Sequence, residues 1–237
     1  MTQPANIPAN EDDRLSRLRA LNVLDTGPEP LFDALTRMAA TICGTPISLI
    51  SLVDEGRQWF KANVGLPGVS ETPRDVAFCS HAILDDALFE VPDATKDARF
   101  VNNPLVTNQP DIRFYAGAPI VLEGGERVGT LCVIDRIPGK LTQMQSDSLR
   151  ELAYAASQAL AMRQTARAQQ TTLELLEASR QELANKEALY RALVEDQSEL
   201  VSLASPDGRL QYVNSVYAQH FGLSPQEMVS RNLLDFV

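Results

Sequence analysis

Apolar positions change period several times along the chain, and each change marks an element. Within residues 12–24, Leu15, Leu18, Leu21 and Leu24 recur at i, i+3 spacing. That spacing predicts one apolar helix face, closed by Asp25-Thr26-Gly27-Pro28. A second helix is predicted over 29–43, with Leu31, Phe32, Leu35, Met38, Ala39 and Ile42 on its stripe and Gly44 as its stop. Strand patterning follows. Residues 47–53 are β-rich, Asp54-Glu55-Gly56 is a turn, and 58–64 is the hairpin partner. Residues 65–76 read as a Gly, Pro, Ser and Thr loop. A short helix is predicted at 77–84, a short strand at 89–91, and an irregular or helical insert over 97–106, ending near Pro104. Two strands, 114–122 and 128–134, pair around Glu123-Gly124-Gly125-Glu126. The order helix, helix, hairpin, loop-rich middle, hairpin predicts an α+β domain with one antiparallel sheet flanked by helices.

From Leu141 the pattern is helical. No Gly or Pro occurs between Lys140 and Ser205, and helix formers dominate 142–195. About 50 residues at about 1.5 Å each make a helix of roughly 75–80 Å. One register puts Leu152, Ala159, Ala166, Leu173, Arg180, Glu187 and Val194 at one heptad position. The other position holds Ala155, Met162, Gln169, Leu176, Leu183 and Tyr190. This is a coiled-coil-like seam with weak links at Gln169, Arg180 and Glu187. It predicts a parallel homodimer through residues 142–195, because a lone solvated helix would leave the stripe exposed. Beyond it, residues 200–204 and 210–214 read as strands around Ser205-Pro206-Asp207-Gly208. Residues 215–221 and 224–229 read as short helices. One hairpin with two helical turns is expected to bury no independent core.

Composition narrows the setting. Lys and Arg number 21 against 31 Asp and Glu, a formal charge of −10. Such acidity argues against a nucleic-acid partner, which needs a basic patch. No stretch approaches the roughly 18–20 apolar residues of a membrane span. Residues 1–10 are polar, with neither a basic nor an apolar leader segment, and are expected to be disordered. Cys43, Cys79 and Cys132 are widely spaced, there is no CxxC, and His81 and His220 are the two histidines. A four-ligand zinc site is not expected. The thiols predict a reduced, cytoplasmic setting.

Candidate chemistry is concentrated in the middle of the chain. Cys79 and His81 flank Ser80, which suggests a thiolate nucleophile with its base. At i, i+2, however, the two side chains do not face each other. His81 as a haem or metal ligand competes with a plain hydrogen-bonded histidine. Trp59 and Phe60 must point to opposite faces of their strand. One reading is sheet packing; the other is a cavity wall facing Arg113 and Tyr115. Arg74, Arg99 and Arg113 suit either an anionic ligand or salt bridges to Asp75, Asp93 or Asp97.

Several ordered segments carry a family resemblance. They are 11–26 with Pro28-Glu29-Pro30-Leu31-Phe32-Asp33, Ile50-Ser51-Leu52-Val53-Asp54 with Arg57-Gln58-Trp59-Phe60-Lys61, and Glu71-Thr72-Pro73-Arg74 leading to Phe78-Cys79-Ser80-His81-Ala82-Ile83. Asp97-Ala98-Arg99-Phe100, Asn103-Pro104-Leu105-Val106, Ile112-Arg113-Phe114-Tyr115-Ala116-Gly117 and Gly129-Thr130-Leu131-Cys132-Val133-Ile134-Asp135 complete them. Residues 11–163 thereby resemble a GAF domain of bacterial sensor histidine kinases and diguanylate cyclases. Residues 196–237 resemble the N-terminal half of a PAS domain, through the Asp207-Gly208 turn, Tyr212-Val213-Asn214 and the stretch Phe221 to Met228. Residues 164–195 are then a helical linker, and the chain reads as a fragment that ends inside a domain.

The resemblance implies a sensory module with no catalysis of its own, binding an unknown small molecule and signalling through the dimeric helix. The ligand-site residues it implies are Trp59, Phe78, Cys79, His81, Arg113 and Tyr115. It implies no covalent bilin, since the stretch 94–112, where such domains carry the anchoring cysteine, has none. No kinase or cyclase motif occurs in these residues. A thiol-dependent enzyme using Cys79 and His81, and a dimerisation scaffold with a filled interior, are the competing readings.

Overall fold

The computed structural model describes residues 3–236. The chain divides into two compact units, Met1–Ala168 and Gln169–Val237. Met1 and Thr2, at the start of the predicted disordered segment, and Val237, at the end of the PAS-like one, lie outside the described residues.

The first unit opens with α1 (Glu11–Ala20) and α2 (Pro30–Cys43). Acidic Glu11, Asp12 and Asp13 begin α1, and Arg17 and Arg19 end it, each matching the helix dipole. The apolar spacing runs on to Leu24, but the helix stops early because Asn22 takes a left-handed conformation, φ 47°. Leu21 and Val23 are buried all the same. Pro30 begins α2, where its missing N–H costs nothing, and Gly44 ends it at φ 68°.

A six-stranded antiparallel sheet follows, in the order β3-β2-β1-β6-β5-β4. Its strands are β1 (Ile47–Val53), β2 (Arg57–Val64), β3 (Glu71–Pro73), β4 (Phe89–Val91), β5 (Phe114–Val121) and β6 (Arg127–Asp135). β3 falls in the predicted loop; three residues ending in proline make an edge strand too short to show a period. Between strands lie α3 (Phe78–Ala82) and α4 (Pro104–Thr107). The insert was expected to end near Pro104. The helix begins there instead, with proline in its first turn and the Asn103 side chain accepting from the Leu105 N–H.

Period-two alternation divides the strands between two cores. Ile50, Leu52, Ala116, Ala118, Leu131 and Val133 face α1, α2 and the first turns of α5 (Gln143–Glu195). Leu49, Val53, Phe60, Tyr115, Cys132 and Ile134 face α3 and the loops around it. Gly129 is required where β6 meets β1, because a Cβ there would run into the Ser51 carbonyl oxygen.

The start of α5 corrects the predicted seam. Leu152 and Ala159, assigned to a heptad position, are buried in the helix-side core with Leu149, Ala153, Ala156 and Leu160. Their apolar period serves the sheet, not a second chain. The exposed stripe begins at Met162 and continues through Leu173, Leu176, Leu183 and Tyr190.

In the second unit, β7 (Ser202–Ala204) pairs with β8 (Leu210–Val213), followed by α6 (Ser215–His220) and α7 (Pro225–Met228). No core was expected here, yet Leu210, Val213, Tyr217, Ala218 and Met228 bury one another. The Asn214 side chain makes this possible. It caps α6 by accepting from the Tyr217 N–H, accepts from the Val201 N–H, and donates to the Glu199 carbonyl. Glu195, at the end of α5, accepts from the Tyr212 hydroxyl and from the Ser215 N–H and hydroxyl. These donors hold its carboxyl below the usual range, and Tyr212 is pushed up to about 12 by burial and the carboxylate.

Candidate functional site

The sheet face away from the long helix holds a cavity of about 430 Å³. This is the size of a small-molecule site, roughly 300–1,000 Å³. β2 contributes Gln58 and Phe60, two residues apart and so on one face. Its walls are mainly apolar, including Leu49, Phe78, Ile112 and Tyr115. Arg136 stands at the rim and donates through Nε to the Pro110 carbonyl at 3.0 Å.

Two buried polar atoms of wall residues have no partner among the described residues. Gln58 Oε1 and Thr72 Oγ1 are buried and unbonded, and their residues are cross-strand neighbours in the β2–β3 register. A buried acceptor left unpaired costs about 1–3 kcal/mol. Both atoms belong to residues that line the cavity, and a ligand N–H or O–H that met them on a turn of either side chain toward the cavity would relieve that cost.

Cys79 lies at the inner wall, 1% exposed. Its sulfur accepts from the Ser51 and Thr130 hydroxyls at 3.0 Å each and from the Tyr115 hydroxyl at 3.2 Å. The Cys132 sulfur is 4.0 Å away. Gly117 gives the tyrosine room, since a Cβ there would collide with its hydroxyl. Burial raises the Cys79 pKa, and the hydrogen bonds it shares with Cys132, Ser51, Thr130 and Tyr115 more than offset it, so the thiol ionises below its ordinary value. Cys132 is pushed up in return, by its hydrogen bond to Cys79 and by burial. Tyr115 is pushed up by burial and by the nearby sulfurs.

The six residues inferred from sequence divide. Phe78, Cys79 and Tyr115 line the cavity. Phe78 stacks on Phe100 with ring centroids 3.9 Å apart. Trp59 is corrected: it is on the opposite face, in the helix-side core with Phe32 and Leu35. Its neighbour Phe60 forms the cavity wall. His81 is outside the cavity lining. It meets Phe100 edge-on at 4.9 Å, and its pKa is lowered by burial and by Arg99. Cys79 and His81 make no hydrogen bond with each other among the described residues, so His81 is not placed as a base for the thiol. Arg113 donates to the Val106 and Ile112 carbonyls and faces Asp111 at 3.6 Å, and it is not part of the cavity lining. Arg99 pairs with Asp97, one of the three candidate partners, whereas Arg74 pairs with Glu11, which was not among them.

No group of three or more His, Cys, Asp or Glu placed to hold a metal occurs among the described residues. No helix among them is long and apolar enough to cross a membrane. Gln58, Thr72 and Arg136 escaped the sequence reading. For Gln58 the signal was present: it shares strand parity with Phe60, which makes it a polar residue on an apolar face.

A charge relay through a partly exposed carboxylate joins the cavity strand to the long helix within the first unit. The side chain of Lys61, on β2 next to Phe60, is fully buried and donates to Glu29 Oε1 at 2.7 Å. Arg163, on α5, donates to the same carboxylate at 2.8 Å and also to the Leu21 carbonyl.

An antiparallel sheet with helices on one face and a loop-roofed cavity on the other defines the class as a small α+β domain. The GAF domain description matches residues 27–160, more than half of the chain, and the chain belongs to that family. The PAS fold matches residues 188–237. Over 147 residues, 62% of this chain, it is 44% identical to a cyclic di-GMP phosphodiesterase of Pseudomonas aeruginosa, of which the match covers 25%. The chain thus spans about a quarter of the length of that curated relative. Among solved structures, the GAF domain of an Acinetobacter phosphoenolpyruvate-protein phosphotransferase is 19% identical, with 66% of this chain and 96% of that one covered and a TM-score of 0.48. The blue-light-absorbing PixJ GAF domain of Thermosynechococcus elongatus is 15% identical, covering 73% and 98%, with a TM-score of 0.48.

Proposed function

We propose that the chain is a sensory module of bacterial signal transduction that binds a small molecule in the GAF cavity and is not itself catalytic. The observation that carries this reading is the cavity, with the unpartnered acceptors Gln58 Oε1 and Thr72 Oγ1 on its wall. The ligand is largely apolar, carries an N–H or O–H toward those atoms, and places any anionic group toward Arg136 at the rim. The filled-scaffold alternative is disfavoured by the same cavity.

Signalling would run from β2 through Lys61, Glu29 and Arg163 into α5. A ligand acts only by its differential affinity for two arrangements of that network. The exposed stripe from Met162 to Tyr190 supports a parallel homodimer of the linker, with Gln169, Arg180 and Glu187 as the soft points of the seam. Placement in the cytoplasm belongs to the same reading. The parent protein's output domain is proposed as a histidine kinase, a diguanylate cyclase or a cyclic di-GMP phosphodiesterase, the last supported by the 44% relative.

Native mass spectrometry of the chain purified from bacterial cells tests both parts together. The reading predicts a dimer mass with a retained small molecule, and disulfide-linked dimers from Leu173→Cys and Leu176→Cys. A ligand-free monomer that resists cross-linking would overturn it.

A further inference from the structure

Cys132 and the hydroxyl cradle around Cys79 play no part in ligand recognition as argued above, and they form a cluster of their own. The two sulfurs are 4.0 Å apart, and both are buried. Ser51, Thr130 and Tyr115 aim three hydroxyls at one sulfur. Cys79 lines the cavity, which gives a small reagent a route to it, while Cys132 does not. We propose that Cys79 and Cys132 are a paired modification site: a small hydroperoxide entering the cavity oxidises Cys79, and Cys132 then closes a disulfide with it.

The chemistry balances with the hydroperoxide as the only oxidant. The Cys79 thiolate attacks the terminal oxygen; an S–O bond forms and the O–O bond breaks. The released alkoxide takes up the proton given by the thiol and leaves as an alcohol, with sulfenic acid on Cys79. The Cys132 sulfur then attacks the Cys79 sulfur. The S–S bond forms, the S–O bond breaks, and hydroxide departs with the Cys132 proton as water. Two electrons pass from the two thiols to the peroxide. Ser51 and Thr130 act as positioning residues that stabilise the anionic sulfur before attack.

Closing the sulfurs to about 2.05 Å draws α3 toward β6. That movement displaces Phe78 and Cys79, both in the cavity wall, and acts on the strand that leads into α5. Cys43 is the internal control. It is half-buried, has no such donors, and burial pushes its thiol up to about 11.

The test uses the full chain, reduced and then exposed in separate arms to hydrogen peroxide and to cumene hydroperoxide. Samples are quenched by alkylation and mapped by peptide mass spectrometry. A Cys79–Cys132 disulfide should form in at least one arm, at least about tenfold faster than any oxidation of Cys43. Cys132→Ser should stop at a Cys79 sulfenic acid that a cyclic dione traps, and Thr130→Val should slow the first step about tenfold. Circular dichroism of each variant checks folding, and the unmodified chain decides the matter if a variant fails to fold. Oxidation of Cys43 while Cys79 and Cys132 stay reduced would overturn the proposal, as would sulfenic acid at Cys79 that never proceeds to the disulfide. The readout is sulfur chemistry alone, so it stands or falls separately from retention of a cavity ligand.

Discussion

The two faces of the GAF sheet are built from the same strands and solve different problems. The helix-side face is closely packed: Leu131, Val133, Ala116 and Ala118 meet Phe32, Leu35 and Leu149, and the unpaired buried side-chain atom on this side among the described residues is Glu126 Oε2, beside Arg17 at the sheet's end. The other face leaves a cavity of about 430 Å³, two unpaired polar atoms and a thiol cluster. One face holds the domain together. The other keeps free energy in reserve, in groups that a ligand can satisfy. The strands that support the second face are the ones whose backs are locked by the first, which keeps the cavity wall in place when nothing fills it.

Mutations on the two faces should separate stability from binding. The largest effect is expected from Leu131→Ala, fully buried on the filled face. It should cost about 3–5 kcal/mol in urea denaturation. A loss near zero would mean that this face is not the packed one. Next, Glu29→Gln removes the carboxylate shared by Lys61 and Arg163. A buried lysine left without its counter-charge should cost about 2–3 kcal/mol, and hydrogen exchange should rise at both β2 and the turns of α5 around Arg163.

A smaller effect concerns pH. Burial acts to raise the Glu11 pKa, but Arg14 and Arg74 outweigh it and bring it down to about 2 from 4.5. A carboxyl lowered by folding stabilises the protein above its unfolded pKa. That contribution is fully present above about pH 5 and disappears as pH falls from 4.5 through 2. After allowance for partial exposure it is about 1–2 kcal/mol. Glu11→Gln should flatten the acid limb of the stability curve; an unchanged limb would place the titration elsewhere.

The smallest stability effect is expected on the cavity face. Gln58→Leu removes an acceptor that has no partner among the described residues, so unfolding free energy should change by less than about 1 kcal/mol, or rise. Thermal denaturation of the ligand-stripped protein checks this.

How far the fold was legible follows the same division. β1 and β4 carry the boundaries that their patterns predicted, because β-rich runs bounded by turns need no long-range information. β3 was not legible, since Glu71-Thr72-Pro73 has no period of its own and is a strand only through its pairing with β2. The heptad reading of Leu152 and Ala159 failed for a related reason: the apolar period of a helix does not say which surface receives it. At the site, Phe78, Cys79 and Tyr115 lie in segments that carry the resemblance, but the same segments hold Trp59, His81 and Arg113, which do not line the cavity, so the resemblance located the region and not the side-chain directions. Trp59 was placed on the wrong side because alternation tells that Trp59 and Phe60 diverge, not which of them meets the helices. The Cys79–Cys132 approach depends on α3 packing against β6, a contact across 53 positions that no local pattern encodes.

The central claim is that the open face of the sheet is a recognition site, with Gln58 as its polar anchor. The most direct measurement compares small molecules released on denaturing equal amounts of the wild-type chain and Gln58→Leu, both purified from the same bacterial cells and analysed by mass spectrometry. The account predicts a compound bearing an N–H or O–H in the wild-type extract, reduced at least about tenfold in the variant extract. Identical extracts from the two proteins, or none from either, would contradict it.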